Sequence, residues 1–297
     1  MADNHSVKKD SSKKPHQEVD GSPPSALSPQ PSLSRPSAHS PCSQRTRFVL
    51  VRPSHPGNIG AAARAIRTMG FSRLVLVQPQ HFPDSEAAAL AAGADDVLDQ
   101  GVVVPNLVSA IADCELVLGC TARRRGVALA EFTPRAAAAR VLTVAPAAEV
   151  AIVFGNERTG LENDELMRCH AAVHIPSDPT FSSLNLAQAV QVLAYELRMA
   201  QLAGSAEAAP AVPARSDPPA TAEQLEYFFA HLAQTLDDID FHKGRSPRTI
   251  LQRLRRLFLR NELDQREVRI LRGIFDDAQR MARLAAERRV GLGPPSS

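Results

Sequence analysis

The stretch FVLVRPSHPGNIGAAARAIRTMG, residues 48–70, contains the unit from which the fold can be read. Its first four residues are all apolar and do not alternate with polar ones, which is typical of a strand covered on both faces in a parallel sheet. After a short loop, apolar side chains recur at helical spacing, at Ile59, Ala62, Ala63, Ile66 and Met69. A buried strand followed by an amphipathic helix is the repeating unit of α/β proteins.

The same alternation continues through the central part of the chain. Compact apolar runs predict further strands at residues 74–77, 116–119, 151–154 and 173–175. Helices are predicted after Thr133, a good N-cap followed by Pro134, and where Leu186, Val190, Leu193 and Leu197 recur at helical spacing. We therefore expect an α/β fold with a mostly parallel sheet flanked by helices. Ligands of such sheets bind beyond the carboxyl ends of the strands, so the loops after these runs are the candidate site.

Composition divides the chain into four parts. Residues 1–45 are rich in Ser, Pro, Lys and Asp and predict a disordered tail, because they contain too little apolar surface to offset the entropy of ordering. Residues 46–203 form the α/β domain, and the Pro- and Ala-rich residues 204–221 have the composition of a linker. Residues 222–297 predict a small helical domain.

Composition also excludes several classes of protein. Of the 297 residues, 44% are hydrophobic and 22% charged, the mix of an ordinary globular protein. The formal charge is only +2, so a nucleic-acid partner would need a local basic patch. No apolar run approaches the roughly 18–20 residues of a membrane helix, and the N-terminus lacks the apolar centre of a secretory signal. The cysteines, Cys42, Cys114, Cys120 and Cys169, form no CxxC pair. We expect a cytoplasmic protein with reduced thiols.

Three segments that follow predicted strands carry polar residues suited to chemistry. In residues 56–70 a helix begins and Arg64 points away from the apolar stripe, although a Gly-rich helix start with a solvated arginine would look the same. Residues 155–160 place Glu157 between two glycines, which fits either a left-handed turn or a backbone that approaches a ligand closely. Residues 182–185 begin a helix, where Ser and Asn are commonly mere caps. Individually, none of the three decides the function.

Together and in this order, the segments resemble the SPOUT class of RNA methyltransferases, specifically the SpoU/TrmH family, over residues 46–202. The resemblance is greatest to the TrmJ-type tRNA 2′-O-methyltransferases. It rests on RFVLV at residues 47–51, on Ser54 and His55, on FSSLNL at residues 181–186 and on QVLAYE at residues 191–196. LRRLF at residues 254–258 and ILRGI at residues 270–274 resemble the C-terminal helical extension of that subgroup.

The resemblance implies a SPOUT fold with a C-terminal trefoil knot that holds S-adenosyl-L-methionine. The positions that match the cofactor contacts of the family are Cys120, Thr121, Ala122, Gly155, Ile175, Ser182, Ser183 and Leu184. The positions that match its catalytic motif residues are Asn58, Arg64, Glu157, Ser183 and Asn185. Two departures are visible, because Cys120 stands where Thr is common and Asn156 where some members carry Arg. We expect neither to abolish activity.

The activity implied is 2′-O-methylation of a pyrimidine ribose in the anticodon loop of tRNA, at position 32. Methylation of ribosomal RNA is the alternative substrate. A catalytically inactive RNA-binding homologue is a third possibility, disfavoured by the intact motif residues. The family also implies a homodimer that pairs through the knot helices and completes the site near the interface. Ala187 and Ala194, on the helix after Asn185, suit such close packing.

The chemistry requires no metal. A guanidinium does not readily give up its proton, so we interpret Arg64 as a clamp on a phosphate and a stabiliser of the developing alkoxide, with Ser183 and Asn185 orienting the hydroxyl. Cys169, His170 and His174 lack a fourth ligand and favour structural roles over a metal site.

Residues 242–272 carry ten Lys or Arg against three acidic residues. Apolar residues on one side of the predicted helix leave its arginines, Arg255 and Arg256 among them, on the other side. This favours binding to an RNA backbone over a merely solvated face. Arg123, Arg124 and Arg125, in a loop after a strand, are a second candidate RNA contact.

Overall fold

A computed structural model describes residues 40–122, 129–204, 217–244 and 246–291. Its sheet contains seven strands in these residues, in the spatial order β3-β2-β1-β6-β4-β7-β5, and every recorded strand pair is parallel. The strands are β1 (Thr46–Val51), β2 (Arg73–Val77), β3 (Val102–Val104), β4 (Leu116–Cys120), β5 (Ala130–Phe132), β6 (Val150–Phe154) and β7 (Ala171–Val173). The expected α/β class is confirmed.

Helices cover both faces of the sheet. Those of the α/β domain are α1 (Pro41–Arg45), α2 (Pro56–Thr68), α3 (Ser85–Ala91), α4 (Asp95–Asp99), α5 (Leu107–Ile111), α6 (Pro134–Val144), α7 (Asn163–Leu166) and α8 (Leu186–Gly204). In β1, Phe48 and Leu50 join the core shared with α2, α6 and α8, whereas Val49 and Val51 join the core shared with α5 and α7. This double burial explains why the strand sequence does not alternate.

Local sequence sets the start of the two helices that flank this core. Pro56 occupies the first turn of α2, and the Nδ1 of His55 accepts a hydrogen bond from the Gly57 N–H at 3.2 Å. Thr133 caps α6, as predicted, by accepting from the Ala136 N–H at 3.3 Å. Both caps satisfy amide groups that a helix start leaves without a partner.

The residues after the linker form a helical domain that docks on the sheet domain. Its helices are α9 (Ala222–Asp238), α10 (Pro247–Arg260) and α11 (Gln265–Gly291), around a separate core centred on Phe228. Backbone hydrogen bonds from Ala222 to the Cys114 carbonyl, at 2.8 Å, and from Glu223 to the Ala112 carbonyl, at 2.9 Å, fix the start of α9 on the sheet domain.

Two expectations about boundaries need correction. Pro41–Arg45, assigned to the tail, form α1, because Ser40 caps this helix and Cys42 is buried in the core of the sheet domain. The strand expected at residues 173–175 is Ala171–Val173, because Ala171 and Ala172 pair with Leu118 and Gly119 of β4. The short edge strands β3 and β5 were not predicted. Residues 1–39, most of the expected linker and Arg123–Arg125 lie outside the described residues.

Candidate active site

The loops after β4, β6 and β7, three neighbouring strands, enclose a cavity at the carboxyl edge of the sheet. This is the place where open parallel sheets bind ligands. The lining contains all eight residues that the sequence assigned to the cofactor, namely Cys120, Thr121, Ala122, Gly155, Ile175, Ser182, Ser183 and Leu184. Phe154, Leu186, Ala189 and the rest of residues 155–160 complete the lining.

Gly155 is required by a close approach of backbone. A Cβ atom at this position would lie 2.1 Å from the carbonyl carbon of Gly160 and from the nitrogen of Leu161. Ordinary carbon contacts are about 3.5–4.0 Å, so no side chain fits. The loop closes on itself through a bridge between Asn156 and Gly160, and Gly160 has a φ of 65°. The turn and the ligand approach, left as alternatives by the sequence, are thus compatible in one loop.

Glu157 connects this loop to the start of α2. Its Oε2 accepts hydrogen bonds from the Ser54 N–H at 2.9 Å and the Ser54 hydroxyl at 2.8 Å. Its Oε1 accepts from the Asn58 amide at 3.0 Å and the His55 N–H at 3.2 Å. Burial acts to raise the pKa of Glu157, but the hydrogen bonds from Asn58 and Ser54 outweigh it and hold the pKa below its usual value. Glu157 is therefore a charged acceptor that joins two loops.

Asn58 and Asn185 join the first and third segments. The Asn185 amide donates to the Asn58 Oδ1 at 2.8 Å, while the Asn185 Oδ1 accepts from the Ala187 N–H at 2.9 Å as a cap of α8. Asn185 is thus both the cap that the sequence allowed and part of a polar chain that runs through Asn58 to Glu157. Three of the five predicted catalytic residues are brought into direct contact.

The other two predicted catalytic residues are placed differently. Ser183 lines the cavity and is exposed at its rim. Arg64 is also exposed but lies outside the cavity lining, on the face of α2 opposite its buried side. Within one chain, Arg64 is therefore not part of the cavity.

The cysteine and histidine residues near the site contribute to packing and hydrogen bonding within the fold. Desolvation raises the pKa of Cys120 to about 12, so its thiol stays protonated beside the cavity. Burial lowers the pKa of His170 to about 4, and its neutral Nδ1 accepts from the Val117 N–H at 3.0 Å. No group of three or more His, Cys, Asp or Glu suited to a metal ion occurs in the described part of the chain. None of the described helices is long and apolar enough to span a membrane.

Arg255 does not lie on the RNA-facing side where the sequence placed it. Its side chain is only 17% exposed, its Nε donates to the Met167 carbonyl at 2.9 Å, and its guanidinium pairs with Glu226. The guanidinium also lies 4.4 Å from the centre of the Phe229 ring. Apolar spacing in α10 did not reveal this role, because the partners belong to α9 and to the turn after α7. Arg255 instead fastens the helical domain to the segment that follows the cavity loop.

Sequence reasoning also missed Arg52, which follows β1 directly. Its guanidinium contacts Glu165 at 2.5 Å and Glu162 at 3.0 Å, and its carbonyl accepts from the Asn156 amide at 2.6 Å. Its position at the carboxyl end of a central strand was the available signal. Arg52 therefore links the end of β1 to the cavity loop through Asn156 and to the region of α7 through Glu165.

These features define a class: an α/β protein with a ligand cavity and a polar cluster at the carboxyl edge of a parallel sheet. A family model described as the SpoU rRNA Methylase family matches residues 45–195. A second model, the C-terminal domain of tRNA methyltransferase TrmJ, matches residues 223–287.

Similar proteins cover most of the chain. A tRNA (cytidine/uridine/adenosine-2′-O-)-methyltransferase TrmJ of Pseudomonas aeruginosa is 49% identical over 80% of this chain and 95% of its own length. A tRNA (cytidine/uridine-2′-O-)-methyltransferase TrmJ of Klebsiella pneumoniae is 47% identical over 78% and 95%. The crystal structure of TrmJ from Z. mobilis ZM4 is 36% identical, with a TM-score of 0.67 over 78% of this chain and 98% of that one. The chain therefore belongs to the SpoU methylase family and, within it, to the TrmJ proteins.

Proposed function

We propose that this protein transfers a methyl group from S-adenosyl-L-methionine to the 2′-hydroxyl of a pyrimidine ribose in the anticodon loop of tRNA, at position 32. The observation that carries the proposal is the cavity, because three separate loops place all eight expected cofactor positions around one space. The C-terminal match to TrmJ proteins favours tRNA over ribosomal RNA as the substrate.

The cavity residues fit this cofactor. Phe154, Ile175 and Leu186 provide apolar walls for the adenine ring, and the loop backbone at Gly155 provides hydrogen-bonding groups for its polar edge. Gly155 lets the two sides of the cavity loop pack against each other, because a Cβ there would collide with the backbone of Gly160 and Leu161. When bound, the sulfonium supplies a methyl group activated for transfer to oxygen. Cys120 does not compete for that methyl group, because a protonated thiol is a poor nucleophile.

The polar cluster positions the ribose. Glu157 holds the start of α2 against the cavity loop. Asn58 is bound to Glu157 and accepts a hydrogen bond from Asn185, so the position of Asn185 is fixed as well. Ser183 at the rim and Asn185 then orient the 2′-hydroxyl, whose approach in line contributes several kcal/mol of the roughly 7–11 available from orientation. Arg64 holds a phosphate beside the target and stabilises the alkoxide that develops as the hydroxyl proton passes to solvent.

The position of Arg64 outside the cavity supports a homodimer in which the site is completed near the interface. On α8, Tyr195, Met199 and Leu202 are exposed at helical spacing and form an apolar stripe. Ala187 and Ala194 are buried within the chain and are not available to a partner, contrary to our expectation. Light scattering tests this: a mass near the 32.0 kDa of one chain at micromolar concentration would contradict the dimer.

The remaining parts of the proposal concern fold and location. We infer a trefoil knot formed where residues 174–185 pass the loops after β4 and β6, consistent with their convergence on one cavity. A tRNA substrate implies a cytoplasmic location. Exposed arginines on α10 and α11, including Arg253, Arg260 and Arg269, bind the tRNA backbone.

A paired experiment tests the function. Calorimetric titration with S-adenosylhomocysteine in a chelating buffer should show binding, since no residue role requires a metal. Transfer of labelled methyl groups should then occur to a tRNA transcript and not to ribosomal RNA. Absence of binding at millimolar ligand would contradict the enzymatic proposal, whereas labelling of ribosomal RNA alone would contradict only the substrate.

A further inference from the structure

Phe181 is an exposed aromatic residue at the mouth of the cavity. Its side chain is 84% exposed, the largest value among the exposed large hydrophobic residues of the described chain, followed by Tyr227 at 62%. The next three residues, Ser182, Ser183 and Leu184, all line the cavity. A single exposed apolar side chain is common on proteins, so its surroundings decide whether it has a role.

The turn that carries Phe181 is ordered by its own hydrogen bonds. The Asp178 carboxylate accepts from the Thr180 N–H at 2.7 Å and from the Thr180 hydroxyl at 2.5 Å. The Phe181 N–H donates to the Asp178 carbonyl at 3.1 Å, and the Ser177 hydroxyl donates to the Ser182 carbonyl at 3.0 Å. The ring is therefore presented from a fixed backbone, which lowers the entropy cost of binding a partner on it.

Polar exposed residues surround this ring. Asp178, Thr180 and Ser183 are exposed beside it. The other exposed apolar residues of the turn are only Pro176 and Pro179, too little for the apolar core of a protein–protein contact. A single exposed ring in a mostly polar turn, next to the proposed ribose site, suits the face of a nucleobase. Single-stranded RNA is recognised by stacking of splayed bases on aromatic side chains, which tolerates any base.

We propose that Phe181 stacks on a base of the RNA loop beside the target ribose and so positions that ribose over the cavity. This inference rests on the proposed function, and it adds a residue that holds the substrate without touching the reacting atoms. Stacking measured by alanine substitution corresponds to about 5- to 150-fold in affinity for each base. Phe181→Ala should therefore raise the KM for tRNA by on the order of tenfold, with kcat and cofactor affinity within about threefold.

Substitutions of matched size separate stacking from packing. Phe181→Tyr and Phe181→Trp keep an aromatic face and should retain the wild-type KM, whereas Phe181→Leu keeps apolar bulk without that face and should behave like Phe181→Ala. Equal activity of the Leu and Tyr variants would overturn the proposal. So would dissociation of the Phe181→Ala variant in light scattering, because the ring would then be a contact between chains.

A fluorescence measurement observes the contact directly. The chain contains no Trp, so Phe181→Trp introduces a single reporter. We expect its emission to be quenched by an anticodon stem-loop RNA, and one abasic substitution in the loop should abolish the quenching. The same abasic RNA should also bind wild type and Phe181→Ala equally. Quenching that no abasic position alters would refute the stacking. The quenching and binding measurements do not require methyl transfer. A wild-type protein that binds the RNA but transfers no methyl group would therefore contradict the proposed function without contradicting the stacking by Phe181.

Discussion

Replacement of Gly155 by alanine should disable the proposed cofactor site through one backbone clash. The added Cβ would lie 2.1 Å from two backbone atoms and 2.6 Å from the Gly160 oxygen, so the two sides of the loop must separate by more than 1 Å. Inserting a methyl group into a packed site costs about 1–3 kcal/mol of stability. Here the clashing atoms belong to the backbone, so no change of side-chain rotamer can relieve the clash. We expect the melting temperature to fall by roughly 2–12 °C. The separated loop no longer fits the cofactor, so affinity for S-adenosylhomocysteine should fall. The rate of methyl transfer should fall by on the order of 100-fold, because a displacement near 1 Å misaligns the reacting groups.

Two glycines elsewhere provide controls for this variant. Gly60→Ala would place a Cβ 2.0 Å from the Ala87 carbonyl oxygen, between α2 and α3, and should destabilise the fold while leaving cofactor affinity of the folded protein near wild type. Gly273 lies in α11, and a Cβ added there would meet no atom within 4 Å. Gly273→Ala should therefore stabilise the helix by about 0.5–1 kcal/mol. Calorimetric titration measures the affinity for S-adenosylhomocysteine, and thermal unfolding measures the stability of each variant. Wild-type cofactor affinity in Gly155→Ala would refute the reasoning.

The remaining predictions concern catalysis, docking and pH. Arg64→Ala should lower kcat at least tenfold with unchanged affinity for S-adenosylhomocysteine, measured by methyl transfer and titration; a loss confined to cofactor binding would contradict its role. Arg255→Ala should destabilise the protein by about 2 kcal/mol, because it leaves Glu226 and the Met167 carbonyl without this donor, whereas exposed Arg253→Ala should change its thermal unfolding little. The pKa of about 4 for His170 in the folded protein lies below the value of about 6.5 for a histidine in the unfolded chain. The free energy of unfolding should therefore be highest above pH 6.5 and should fall by up to about 3 kcal/mol as the pH drops towards 4, because the unfolded chain takes up the proton first. His170→Asn should weaken that dependence in denaturant titrations, and an unchanged pH profile would exclude His170 as its source.

Sequence predicted the parts of the fold that depend on local pattern. The central strands are apolar throughout because helices cover both faces, and Thr133 and Asn185 were identifiable as caps. The edge strands β3 and β5 were not predicted. Each has three residues, two of them exposed, so neither carries the buried pattern of the inner strands. α1 escaped because its burial depends on Cys42 reaching a distant core.

The candidate site divides in the same way. Family motifs located the cavity residues, since these follow strands in order along the chain. The contacts of Glu157 with Ser54 and Asn58 span about a hundred residues, and no spacing in the sequence specifies them. Arg255 was assigned to the wrong surface because a helical pattern identifies an apolar side but not the domain against which that side packs.

The most direct test of the account is a map of the methyl groups that this protein adds. The purified protein, an unmodified tRNA transcript and S-adenosyl-L-methionine are incubated with a chelator, and nuclease fragments are analysed by mass spectrometry. The account predicts one added methyl group, on the 2′-oxygen of the pyrimidine at position 32, and its loss from cellular tRNA when the gene is deleted. A methyl group on a base, or a loss confined to ribosomal RNA, would contradict it.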